Sequence, residues 1–402
     1  ANLIHSITPK RKEKMQSEEQ RGDAAYQRRE SAKRRRQWTI QLVVLVVLVA
    51  FVWLLVHNVS SNLAERSIRS GFDFLKGAAN FEIGEVLLPF DSSQPVWLAF
   101  LNGVLNTIRV AVFAIITSMV LGAVVGIMRL SNHPILRFLG TAHVEVYRNI
   151  PLIIQLFAVY MLITELLPAS TEPLHAGSWA LLSKAGLQFA VPAQTGLAAM
   201  AAFIAGVLTA LLVREIQRRR VTDLVAGLLG FVAGILVALV VWVIFGFYSG
   251  WSKPVVSGFM IEGGAALSPE FLALWLGLTF FTSAAIAEIV RAGVLAVKQG
   301  QWNAGLALGL TRSQVVSYIV FPQSMRLAIP PLTSQFMNLT KNSSLAVVIG
   351  YPDIVAVGNS SINITGQALE VIVIIMAVYL FLNLIISVLM NALNTRVMRA
   401  PR

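Results

Sequence analysis

Apolar residues run in long blocks along this chain, and polar residues gather between them. Eight blocks stand out, over 38–57, 98–128, 138–167, 195–213, 224–247, 269–290, 327–349 and 367–391. Each is near or above the ~20 residues that an α-helix needs to cross the hydrocarbon core of a bilayer. The pattern predicts an all-α polytopic membrane protein with about eight transmembrane helices. The first block follows a charged leader of 37 residues with no small-residue cleavage motif, so it is expected to stay as a span. Pro151 and the Pro330–Pro331 pair are expected to kink the spans that hold them.

Composition agrees with the pattern. Of 402 residues, 56% are hydrophobic and 13% charged, with mean hydropathy +0.70. A soluble domain carries about 25% charged residues. The formal charge of +12 could suggest nucleic acid, but the basic residues lie beside the spans, where they set topology. Residues 1–37 hold eleven Lys/Arg, the intervening loops at 129–137, 214–223 and 291–326 hold two, four and four, and the tail holds three. The opposite loops hold five: Arg66, Arg69, Lys76, Lys184 and Lys253. This asymmetry predicts that both termini face the cytoplasm. The leader is expected to lie on anionic lipid or to stay unfolded in isolation. The absence of cysteine excludes disulfides, thiolate metal sites and a cysteine nucleophile within these residues. Five histidines (His5, His57, His133, His143, His175) show no metal-ligand spacing.

One stretch breaks the apolar rhythm. Residues 301–323 read QWNAGLALGLTRSQVVSYIVFPQ, on the predicted cytoplasmic side between the sixth and seventh blocks. A short helix is expected to stop at Gly309, where glycine suits the left-handed position beyond a helix end. Thr311 and Gln314 fit a capping box that starts a second helix. Val315, Val316, Ile319 and Val320 would give that helix an apolar stripe able to fill a groove. Pro322 is expected to end it.

These residues resemble the cytoplasmic loop of importer-type ABC transporter permeases. That loop carries Glu-Ala-Ala, three residues, Gly, nine residues, then Ile-x-Leu-Pro. The frame falls on Asn303-Ala304-Gly305, Gly309, Ile319, Phe321 and Pro322, with Asn for Glu, Gly for Ala and Phe for Leu. The segments YRNIPLIIQLF at 147–157, AEIVRAGVLAVKQGQW at 287–302 and NLTKNSSLAVVIGYPDIV at 338–355 resemble others of the polar-amino-acid permeases. The resemblance covers about 98–165 and 265–395. It implies a five-helix type I importer core, with 301–323 forming coupling helices that dock on a separate ATPase. It also implies a location in the bacterial inner membrane. No G-x-x-x-x-G-K-[ST] occurs in the chain, so no cofactor is expected on it, and ATP and Mg would bind the partner ATPase. The implied partners are a second related permease, two ATPase subunits and a periplasmic amino-acid-binding protein. The asparagine at 303 puts in doubt any ion pair that the family's glutamate makes.

The division of the chain follows. Residues 1–37 form the leader, 38–97 an extra span and periplasmic loop, and 98–167 the first part of the permease domain. Residues 168–262 form an inserted helix pair with loops, where Gly230 and Gly234 could let two helices approach closely. Residues 263–395 form the second part, with its coupling loop at 291–326, and 396–402 a cytoplasmic tail. Charged residues in or beside the spans are costly in lipid and are expected to face a protein interior or cavity. Arg109, Glu145, Arg148, Glu288 and Lys341 are of this kind. Glu145 with Arg148, and Glu288 with Arg291, are spaced to pair along a helix. Alternatively Arg148 or Lys341 could bind the α-carboxylate of a zwitterionic substrate. Asn338, Thr340, Lys341, Asn342 and Ser343 gather many hydrogen-bonding groups at membrane depth, which argues for a pathway lining. Of the two, Lys341 reads as the more sensitive. A secondary transporter or channel is the competing reading, and a structural anchor a third. The first would carry inverted repeats with broken helices, which the sequence does not display.

Overall fold

The computed structural model describes residues 71–218 and 223–399, together with Lys33 and much of 36–61. Most of the basic leader, Arg66, Arg69, Arg219, Arg220 and the last three residues lie outside the described part. The chain divides into two units, 1–71 and 72–402. In the first, the described residues include an apolar helix, α1 (Arg36–Phe51).

The second unit contains α2 (Val96–Leu130), α3 (Pro134–Asn149), α4 (Leu152–Met161), α5 (Thr195–Gln217), α6 (Asp223–Ser249), α7 (Pro269–Leu295), α8 (Gln299–Ala307), α9 (Arg312–Val315), α10 (Phe321–Asn342), α11 (Ile354–Thr365) and α12 (Ala368–Arg399). Among the described residues, five helices are long and apolar enough to cross a membrane: α2, α5, α6, α7 and α12. Two bent pairs raise the number to seven if each counts as one span. Block 138–167 is therefore not one helix. It breaks between α3 and α4 with a 106° bend. Block 327–349 lies in α10 and a following 3-10 turn (Ser343–Ile349), bent by 51° from α11. The break falls at 350–353, and Pro330 and Pro331 lie inside α10, which continues through them.

Small residues let the central helices meet. A Cβ at Gly122 of α2 would stand 2.6 Å from the Ile286 side chain of α7, and one at Gly126 would stand 2.9 Å from the Ala287 carbonyl. Further along the same helices Val110, Ala114, Leu156, Phe271, Leu274, Leu278 and Leu339 form a buried cluster drawn from α2, α4, α7 and α10.

The inserted pair packs on itself in the same way. A Cβ at Gly234 of α6 would lie 2.5 Å from the Gly206 carbonyl oxygen of α5, and one at Gly230 would collide with the Ala210 carbonyl. Gly230→Val is therefore expected to force α5 and α6 apart, at about 1–3 kcal/mol. This should appear as a lower melting temperature of the purified protein, and an unchanged one would show that the pair is not held by this contact. The loops around the pair are not plain coil. Strands β1 (Leu174–Ala176), β2 (Ala180–Ser183), β3 (Gly186–Phe189) and β8 (Ala265–Leu267) form an antiparallel sheet in the order β1-β2-β3-β8. Strand β4 (Val191–Pro192) pairs β5 (Trp251–Ser252), and β6 (Val255–Ser257) pairs β7 (Met260–Glu262). Their two to four residues are too short for alternation to show in the sequence.

Candidate functional site

The bend between α3 and α4 begins with covalent geometry. A proline disfavours helix in the residue before it, and Ile150 is extended, at φ −98°, ψ 129°. The chain restarts as α4 after Pro151 in a new direction. Gln155, only 5% exposed, closes the elbow. Its Nε2 donates to the Tyr147 carbonyl at 2.9 Å and the Ile150 carbonyl at 2.8 Å, at the helix end where carbonyls lack intrahelical partners. Tyr147 also stacks on Phe280 of α7 at 5.2 Å, and His143 Nε2 lies 2.9 Å from Ser283 Oγ. Together these contacts fix the last turn of α3, and with it Arg148. Gln155→Leu removes both hydrogen bonds from a buried elbow, at about 1–3 kcal/mol. Both melting temperature and uptake per assembled complex are expected to fall. If neither changes, the elbow is held by other contacts.

Arg148 opens onto a cleft of about 440 Å³. Its polar lining is Arg148, Thr282, Gln335, Asn338 and Asn342; Phe281, Ala285 and Leu339 complete it. Phe281, Thr282 and Ala285 flank the midpoint of α7, so the cleft lies at mid-depth of that span. The structure thus brings together Arg148, Asn338 and Asn342 from among the residues singled out in the sequence. It turns the others away. Thr340 and Ser343 are buried, donating to the Phe336 carbonyl at 3.0 Å and the Thr340 carbonyl at 2.7 Å. Lys341 is exposed and does not line this cleft. Gln335 and Thr282 were not anticipated. The spacing of Gln335, Asn338 and Asn342 along one helical face was the available signal, and Lys341 lies off that face.

Beside the cleft, Glu288 of α7 is shared by three guanidinium groups. Arg129 at the end of α2 makes the shortest contact, Arg291 Nε lies 3.4 Å from Oε2, and Arg148 Nη1 lies 3.6 Å from Oε1. The Glu288–Arg291 pair matches its helical spacing. The Glu145–Arg148 pair does not form: Glu145 accepts from Asn149 Nδ2 at 3.1 Å, while Arg148 reaches across to α7. Arg129 counted only as a loop cation in the sequence, because its partner is 159 residues away.

Arg109, the remaining cation within a span, is bound in the N-terminal half of α2. It pairs with Glu85 and lies 4.3 Å over the Phe271 ring. Ser268 Oγ donates to Glu85 at 2.7 Å and caps α7 by accepting from Phe271 N. Asn102 and Asn106, on the same face of α2 as Arg109, hold the backbone of Leu87, Leu88, Glu85 and Pro352. This network fastens the segment before α2 to the α10–α11 bend, and its residues are not among those lining the cleft.

The loop at 299–323 has the expected break. Helix α8 ends before Gly309, whose φ is +81°. Thr311 caps α9 through the reciprocal bonds of a capping box with Gln314. Two expectations fail. Pro322 does not end a helix: α9 passes through a wider π turn, Val316–Val320, directly into α10, with Pro322 in its first turn. Proline cannot donate an intrahelical bond, and the turn just before it takes the wider π spacing. Three of the four stripe residues also face inward, while Val316 stays 41% exposed. Val315 and Val320 are buried with Val297, against Trp302, Leu310 and Ile319. Leu306, Leu308 and Tyr318 are exposed instead, at 49%, 81% and 69%. Gly305 explains its departure from alanine, since a Cβ there would stand 2.7 Å from Ile319 Cδ1 and 2.9 Å from Val315 Cγ2. Asn303 accepts from Gln299 at 3.3 Å.

Comparison with known proteins agrees with this reading. Residues 202–399 match the family described as binding-protein-dependent transport system inner membrane component. The chain is 40% identical over 374 residues to the general L-amino acid transport system permease protein AapQ of Rhizobium johnstonii, covering 90% of this chain and 92% of that one. It is 39% identical over 375 residues to the putative amino-acid ABC transporter permease protein YhdX of Escherichia coli K12, covering 90% and 94%. It is 33% identical over 401 residues to the glutamate/glutamine/aspartate/asparagine transport system permease protein BztB of Rhodobacter capsulatus, covering 89% and 93%. With its spans, its broken loop and these relatives, the chain belongs to the permease family of binding-protein-dependent ABC transport systems in the inner membrane.

Proposed function

We propose that this permease moves L-amino acids from periplasm to cytoplasm through the Arg148 cleft, by alternating access. One observation carries the reading. A guanidinium, three carboxamides and a hydroxyl converge on a cavity at mid-depth of a central span, where transporters place their substrates. A guanidinium with nearby amides suits an α-carboxylate. The cleft is proposed to hold the carboxylate end of the substrate, and a second permease facing this one to hold its ammonium. The relatives' names, which specify amino acids in general or the acidic and amide ones, support the same substrate class.

Energy comes from two ATPase subunits, which bind ATP and Mg and dock on the 299–323 loop. A periplasmic binding protein delivers the substrate, and both termini lie in the cytoplasm. Proteoliposomes of the assembled complex test this. Uptake of a labelled L-amino acid should require ATP and the binding protein, and should survive collapse of proton and sodium gradients. Uptake that follows an ion gradient and ignores ATP would favour a secondary transporter.

A further inference from the structure

Glu288 has more cation around it than one carboxylate needs, and its three partners are unequal. Arg129 makes the shortest contact and is the most buried, with 11% of its side chain exposed; Arg291 is 38% exposed. Arg148 is the most distant, at 3.6 Å, is 54% exposed and is the one partner that also lines the cleft. It is also the one on α3, so its contact ties the elbow to α7. A carboxylate arriving in the cleft could take Arg148 from Glu288, and Glu288 would keep Arg129 and Arg291. The exchange leaves no charge without a partner, which is what makes such losses costly at membrane depth.

From this geometry we infer that Glu288 is the resting partner of Arg148, and that substrate binds by exchanging its carboxylate for that of Glu288. Glu288 is then a positioning residue that lowers the affinity of the cleft and promotes release. The exchange also removes one tie between the α3 elbow and α7, leaving the Tyr147–Phe280 and His143–Ser283 contacts, near the end of α7 that leads into α8. This inference rests on the reading of Arg148 as the carboxylate site.

The test measures equilibrium binding of radiolabelled L-glutamine to the purified permease–ATPase complex in nanodiscs, without binding protein. Glu288→Gln removes the competitor and should tighten binding about two- to fivefold, the range of a half-exposed ion pair. If Glu288→Gln fails to assemble because Arg129 loses its partner, Glu288→Asp keeps the charge, withdraws it from Arg148 and should tighten binding by a smaller factor. The gain should vanish when Arg148→Gln is added, and the decarboxylated ligand 4-aminobutanamide should show none. A structural role would not depend on the ligand's carboxylate. Unchanged or weaker binding in an assembled Glu288 variant overturns the exchange, as does tightening that persists without Arg148 or extends to the decarboxylated ligand. Wild-type binding by Arg148→Gln alone would instead remove the carboxylate site itself, so the two failures are distinguishable.

Discussion

Arg148→Gln is expected to lower uptake per assembled complex by about tenfold or more for every L-amino acid, while Lys341→Gln leaves uptake near normal. A hydrogen bond to a charged group contributes about 1.5–3 kcal/mol, and each 1.4 kcal/mol is about tenfold. The α-carboxylate is common to all substrates, so the loss should not depend on the side chain. Complex yield should hold, because Glu288 keeps Arg129 and Arg291 when Arg148 is neutralised. The sequence placed Lys341 first because polar residues surround it. The structure reverses that order, since Lys341 lies outside the cleft lining. Both quantities, yield and uptake per complex, decide the matter. Normal uptake by Arg148→Gln would show that the cleft is not the substrate path, and loss confined to Lys341→Gln would restore the first order.

The second large effect is expected at Gly309. At φ +81° a β-branched side chain is strained by about 1–3 kcal/mol. The bonds that close the end of α8, Gly309 N to the Leu306 carbonyl at 3.0 Å and Leu310 N to the Gly305 carbonyl at 3.2 Å, require that conformation. Gly309→Val should therefore release the junction between α8 and α9. The spans are untouched, so insertion and assembly should persist. In proteoliposomes, ATP hydrolysis should no longer be matched by uptake, which falls about tenfold, the effect of a 1.4 kcal/mol change. Gly309→Asn should largely restore uptake, because asparagine tolerates the left-handed region. Uptake and stimulated hydrolysis that stay coupled in Gly309→Val would show that the fixed junction is not needed.

Periodicity and turn chemistry made the long helices and the loop break legible. The residues that did this, such as Gly309 and the Thr311–Gln314 box, act within a few positions of themselves. What stayed hidden was set by neighbours far along the chain. Arg148 has a carboxylate on its own helix face, yet the elbow at Pro151 carries it to Glu288, 140 residues away. The valine stripe after Thr311 marks an amphipathic helix correctly, but only packing shows that Trp302 and Val297 cover it. Gly305 departs from the family's alanine because of Ile319 and Val315, whose approach no local rule predicts. Gln155 sits in an apolar run, and its role depends on carbonyls exposed by the preceding bend. The cleft itself was half readable. Three amides fall on one face of α10, but Thr282 joins them only through the α7–α10 contact.

The pairing of β3 with β8 has a further consequence. Phe189 and Ala265 sit opposite each other in that ladder, so the chain departs and returns at adjacent points. Everything between them, including the α5–α6 hairpin and its own β4–β5 clasp, is an excursion from a single doorway. Such a segment is an insertion that also leans on its surroundings, through Trp251 and Lys253 against Trp179 and α6 against α12. A two-residue Asn-Gly turn could join Phe189 to Ala265 as an ordinary hairpin, leaving the cleft, the Glu288 cluster and the coupling loop in the shortened chain. The same doorway could accept a foreign helical hairpin or a reporter domain whose ends lie one strand spacing apart.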